Sequence, residues 1–154
     1  MPRGLLAVAV ALVTLAACPR AEPRRVRIVL SLAGAASRPV HGLDLTVALP
    51  EGARVAHDPS TRRLSSQALT LLDGASDATI DGHFSAHRTT PSIRILVASR
   101  APIRDGEVAA IEATVTSVAP PPRSRYEVAS SAVTGPDGAY VTGASGWVSA
   151  VEPR

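Results

Sequence analysis

His83 and His87 stand four residues apart in His83-Phe84-Ser85-Ala86-His87. At that separation two imidazoles can share a metal from one helical turn or one strand face. No HExxH-type glutamate accompanies them and the surrounding segment reads as a polar loop, so the pair is read as incidental and no metal is assigned to it. Asp73, Asp77 and Asp81 recur at every fourth position. Carboxylates beside loop carbonyls hold Ca²⁺, which makes these three the calcium candidates. They lack the odd-position ligands and closing glutamate of an EF-hand loop, and read first as turn formers. Tyr126, Tyr140 and Trp147 make up, with Phe84, the whole aromatic complement. They are the candidates for stacking against a flat ligand such as a sugar ring, although Trp147, flanked by Gly146 and Val148, is expected in the core. Cys18 is the only cysteine, so packing without a disulfide must hold the fold.

None of these groups forms a catalytic constellation in the sequence. Gly143-Ala144-Ser145-Gly146 is not a G-x-S-x-G elbow, and it precedes a strand-like segment where the elbow needs a helix. His57 and Asp58 are adjacent, which does not itself orient the imidazole. A carboxylate pair of the glycosidase type would have to come from acids distant in sequence. With few large side chains available to shape a pocket, the chain is expected not to be an enzyme.

The elements around these residues begin with an export signal. Arg3 precedes Leu5 to Ala17 (LLAVAVALVTLAA), which carries no charge. A helix of that length rises roughly 20 Å, short of the roughly 30 Å hydrocarbon core, so it is a signal-peptide helix over residues 1–17 and a poor permanent span. Its last residues, Leu15-Ala16-Ala17-Cys18, resemble the bacterial lipobox. That resemblance implies cleavage before Cys18 and a covalent diacylglycerol on its thiol, with no other cofactor. The protein is then expected in the bacterial cell envelope, lipid-anchored on the extracytoplasmic side, periplasmic or surface. Residues 18–25 (CPRAEPRR) form a tether that reaches roughly 25 Å when extended.

Removing residues 1–17 leaves 137 residues, enough for one domain, here 26–154. All 16 basic side chains are arginine; without Arg3, 15 oppose 13 Asp and Glu, so the pI near 10 overstates the basicity. Scattered arginines and four aromatic rings do not make a nucleic-acid surface. Arg20, Arg24, Arg25 and Arg27 cluster beside the expected lipid, where they either touch anionic head groups or form a solvated stalk.

Period-two patterning dominates this domain. Leu43, Leu45, Val47 and Leu49 alternate with smaller or polar residues, and Ile93, Ile95 and Val97 do the same. Further strands are expected over Val26–Leu32, Ala53–Ala56, Ala68–Leu72, Glu107–Val118, Tyr126–Val133 and Tyr140–Val151. Asp73 to Arg88 reads as polar connection, and Gly135-Pro136-Asp137-Gly138 as a turn. Seven to nine short strands without a long helix predict an antiparallel β-sandwich.

Two segments carry a further resemblance. Gly42-Leu43-Asp44-Leu45-Thr46-Val47-Ala48-Leu49-Pro50-Glu51-Gly52-Ala53 and Asp105-Gly106-Glu107-Val108-Ala109-Ala110-Ile111-Glu112-Ala113 resemble strands of cohesin-like domains, which share a jelly-roll sandwich with certain cellulose-binding modules. The tyrosine-aspartate-proline of such domains is represented only by His57-Asp58-Pro59, so no binding residue is carried over. The resemblance implies a non-catalytic module that contacts an envelope protein through a sandwich face or edge. The alternative is a carbohydrate-binding module for a polysaccharide, and a hydrolase stands behind both.

Overall fold

A computed structural model describes residues 21–86 and 90–154. Leu15, Ala16, Ala17, Cys18, Arg20 and His87 lie outside the described residues. The chain is all-β, with two antiparallel sheets packed as a β-sandwich. Its strands are β1 (Glu22–Ala33), β2 (Val40–Ala48), β3 (Ala53–Val55), β4 (Leu69–Leu71), β5 (Ala78–Ala86), β6 (Pro91–Ile103), β7 (Gly106–Ser117), β8 (Val128–Thr134) and β9 (Ser145–Pro153). One sheet runs β3-β7-β1-β9, with β4 also on β7; the other runs β5-β6-β2-β8. Among the described residues no helix is long and apolar enough to cross a membrane.

Alternation explains both the strands and their facing. Leu43, Leu45, Val47 and Leu49 are buried, as are Ile93, Ile95 and Val97 on β6. The cross-strand register sets Leu43 beside Val97, Leu45 beside Ile95 and Val47 beside Ile93, so each layer of the core is built from paired branched side chains. The opposite sheet contributes Val26, Ile28, Leu30 and Leu32 from β1 and Val108, Ile111 and Val115 from β7. Burial of these residues supplies the main drive to fold.

Three expectations need correction. β1 begins at Glu22, inside the expected tether, because Glu22 to Arg25 already pair with Ser117 to Thr114 of β7. Asp73 to Arg88 is not all connection: Ala78 to Ala86 pairs along β6 as an edge strand. The last two strands start later than expected, at Val128 and Ser145, and Gly135 to Ala144 forms the loop between them.

The edges on one side of the sandwich are joined by a strap. β3 takes Ala113 to Val115 of β7, and β4 takes Leu69↔Ile111 through Leu71↔Ala109 on the same edge. Between them residues 56–68 leave this sheet and lie along β5 of the other: Leu64 N–H donates to the Gly82 carbonyl at 2.7 Å and Phe84 N–H to the Arg62 carbonyl at 2.8 Å. Leu64 is buried directly over Gly82, where an added Cβ would come within 2.7 Å of the Leu64 Cδ1. Glycine is what lets the strap approach this strand so closely.

Candidate functional site

Polar and aromatic side chains gather in three places. The first is where the strap meets β5. Asp58 opens the strap: its carboxylate accepts from the Ser60 hydroxyl at 2.5 Å, the Ser60 N–H at 2.7 Å and the Thr61 N–H at 2.9 Å. Those hydrogen bonds, the Ser60 hydroxyl first, pull its pKa down to about 2. The His57 Nδ1 lies 2.8 Å from the Val55 carbonyl, and its ring stacks on Phe84 with centroids 4.4 Å apart. Thus His57 and Asp58 are turned to different partners and form no dyad. Beside them Arg63 Nε donates to Asp81 at 2.8 Å, and His83 Nε2 lies 3.5 Å from the other carboxylate oxygen. Burial raises the pKa of Asp81, but the Arg63 hydrogen bond, the Gly82 N–H and the charges of Arg63 and His83 outweigh it and leave the carboxyl below its ordinary value.

The second place is the end of the sandwich where β1 finishes. The Gly135-Pro136-Asp137-Gly138 turn forms as expected, with Gly138 at φ 77° and its N–H bonded to the Gly135 carbonyl. It carries Tyr140, 75% exposed, on the wall of a groove of about 340 Å³. Pro39, Pro136 and Val141 form the apolar part of this groove, while Arg38 and Asp137 supply one charge of each sign.

The third place is the break between β3 and β4. A cleft of about 340 Å³ opens there, lined by Arg25, Arg54, Ser65, Gln67, Glu112 and Thr114 over the small side chains of Ala56, Ala68 and Ala113. Register positions the arginines: Arg25 pairs with Thr114, and Thr114 pairs with Arg54, so both flank Thr114 on one face of the sheet. Glu112 faces Arg154, whose Nε lies 3.9 Å from its carboxylate.

The sequence-derived candidates fare differently. Asp73 and Asp77 share one cleft of about 280 Å³ with Arg104, but Asp81 is engaged by Arg63. Among the described residues no three His, Cys, Asp or Glu side chains converge as metal ligands, so the Asp73, Asp77 and Asp81 set does not assemble. His83 sits on β5 and not in a loop, with Asp81 as its neighbour. The stacking trio also separates. Tyr126 is buried at 3% exposure, its hydroxyl has no hydrogen-bond partner among the described residues, and burial raises its pKa. Trp147 is half-buried on the side of β9 opposite to Gly146 and Val148, which are the residues that face inward. The expectation that Trp147 lies in the core therefore fails on parity: on a strand, the buried neighbours at 146 and 148 turn 147 outward. Only Tyr140 of the three offers an exposed ring.

The cleft between β3 and β4 was absent from the sequence reading. Its lining comes from four separate segments, brought together by cross-strand register and by the strap. No family model, curated protein or solved structure matches the chain.

Proposed function

We propose that this protein is a lipid-anchored, non-catalytic binding module of the bacterial cell envelope, with its sandwich of the cohesin-like jelly-roll type on the extracytoplasmic side. Leu15-Ala16-Ala17-Cys18 supports the anchor: a short apolar stretch ends in small residues and then the chain's one cysteine. Two lipid chains on Cys18 give the stable attachment that a single acyl chain does not. The frequent passage of the chain between the sheets, from β1 to β2, β2 to β3, β4 to β5 and onward, supports the jelly-roll reading.

The observation that carries the binding reading is Tyr140. Of the four aromatic rings it alone stands mostly in solvent, at 75% exposure, and it does so beside two prolines in a groove. β1 runs twelve residues from Glu22 to Ala33, so the Tyr140 end stands about 40 Å from the Glu22 end, the one the proposed anchor would hold. The partner is an envelope protein, with Tyr140 as the aromatic anchor of the contact. The same exposed ring favours a second reading, a sugar of an envelope polysaccharide stacked on Tyr140.

One set of cells tests both parts. Radiolabelled palmitate should enter the wild type and not Cys18→Ser; equal labelling of the two overturns the anchor. From solubilised envelopes the wild type should retain a protein that Tyr140→Ala loses. Retention of purified envelope polysaccharide, lost in the same variant, selects the second reading.

A further inference from the structure

We propose that the cleft at the break between β3 and β4 binds a phosphate ester, with Arg25 and Arg54 as the charged clamp and Thr114, Ser65 and Gln67 as neutral hydrogen-bonding partners. Adjacent strands lie about 4.8 Å apart, so Arg25 and Arg54, on either side of Thr114, have Cα atoms about 10 Å from each other. Two guanidinium groups on long stems can close over one phosphoryl group across that distance, each presenting a planar fork of N–H donors.

The charge balance selects an anion. Three arginines are paired with acids: Arg63 with Asp81, Arg94 with Asp44 and, at the cleft itself, Arg154 with Glu112. Among the described residues neither Arg25 nor Arg54 has a carboxylate at ion-pair distance. Arg27, the next outward-facing residue on β1, lies in register between Glu112 of β7 and Glu152 of β9, so those acids have a cation of their own and Arg25 and Arg54 are left over; the buried Arg27 Nε has no hydrogen-bond partner among the described residues. Glu112 is the one acid in the lining, and Arg154 offsets it.

Shape and chemistry then narrow the anion. The cleft is several times larger than a bare phosphate, so it has room for the alcohol half of an ester. Its floor of Ala56, Ala68 and Ala113 suits a short aliphatic group, while hydroxyl and amide groups at its wall suit phosphate oxygens. A phosphate ester has two sources, the headgroup of an anionic phospholipid and a soluble phosphate monoester. Arg25 is seven residues from Cys18, which puts the cleft within roughly 25 Å of the acylated position. The headgroup source rests on the proposed anchor; the cleft's preference for a phosphate ester does not.

The test uses the full chain with Cys18→Ser, so that no lipid contributes and loss of the anchor reading leaves the result intact. Glycerol phosphate is titrated by calorimetry, and phosphatidylglycerol vesicles are tested by co-sedimentation against phosphatidylcholine vesicles. Arg25→Ala with Arg54→Ala should weaken glycerol phosphate binding by roughly tenfold or more. The charge-matched control, Arg100→Ala with Arg125→Ala, should bind as the parent does. Glu112→Gln should bind severalfold more tightly, since it removes the one negative charge in the lining. If the Arg25 and Arg54 variant also loses phosphatidylglycerol vesicles, the headgroup is the source; an effect confined to glycerol phosphate assigns the soluble ester. Equal binding by the double variant and its control, or no binding of either probe by the parent, overturns the site.

Discussion

Arg63 meets Asp81 at 2.8 Å on one sheet edge, with His83 completing the group, while Arg25 and Arg54 flank Thr114 on the other sheet and neither is at ion-pair distance from an acid among the described residues. The strap of residues 56–68 touches both clusters: Arg63 belongs to the first, Ser65 and Gln67 line the second. The same side chain type therefore does two jobs a few residues apart. Neutralised against Asp81, arginine ties the strap to β5. Left without a counter-charge beside a cleft, it is ready for an anion that comes from outside the chain. The difference is one of pairing, and pairing is what separates a structural ion pair from a recognition site.

The contrast can be broken most severely at Leu64, the apolar residue that seats the strap. Leu64→Ala removes a buried side chain over Gly82 and should cost about 2 to 4 kcal/mol in urea unfolding, while loosening both clusters together. An unchanged midpoint would show that the strap is held by its hydrogen bonds alone.

Asp81→Asn should act on the first cluster only. Arg63 and Asp81 are both partly exposed, so the loss should be about 0.5 to 1 kcal/mol at neutral pH. The folded pKa of Asp81 lies below its ordinary 3.8, so its stabilisation is present above that value and disappears as pH falls through the folded one. Wild type and variant should accordingly converge in acid. A gap that persists in acid would assign the effect to packing. Smallest of all, Arg25→Ala with Arg54→Ala should shift the unfolding free energy by no more than about 0.5 kcal/mol, because both side chains are exposed and unpaired. Its mark should appear only with ligand: glycerol phosphate should raise the Tm of the parent and not of this variant.

How legible each region was follows from how much its neighbours conceal. β2 and β6 lie inside a sheet with one face in the core, so Leu43, Leu45 and Val47 alternate openly against Ile93, Ile95 and Val97. β5 is an edge strand. Its ATIDGHFSA run mixes an acid, a histidine and a glycine because its outward side is solvated and its inner positions must admit Leu64. Those residue types read as loop until the strap is known to cover them. Trp147 shows a different limit, since its neighbours Gly146 and Val148 suggested burial and strand parity sends it outward. The Gly135 to Gly138 turn was readable, but Tyr140 was expected to open a strand, and neither its place in the loop nor its exposure was legible. The arginine cleft was the least legible. Arg25, Arg54 and Thr114 are remote in sequence, and nothing short of the β1-β7-β3 register reveals that they are neighbours.

The placement of β1 has a mechanical consequence. It lies inside its sheet, paired antiparallel with β7 on one side and β9 on the other. The ladder hydrogen bonds run across the strand, so a pull on Glu22 directed along β1 loads them in shear, many at once. A terminal strand at a sheet edge, pulled crosswise, would instead unzip bond by bond. A domain attached through Glu22 and gripped at its far end would thus resist extraction by tension better than its modest size suggests.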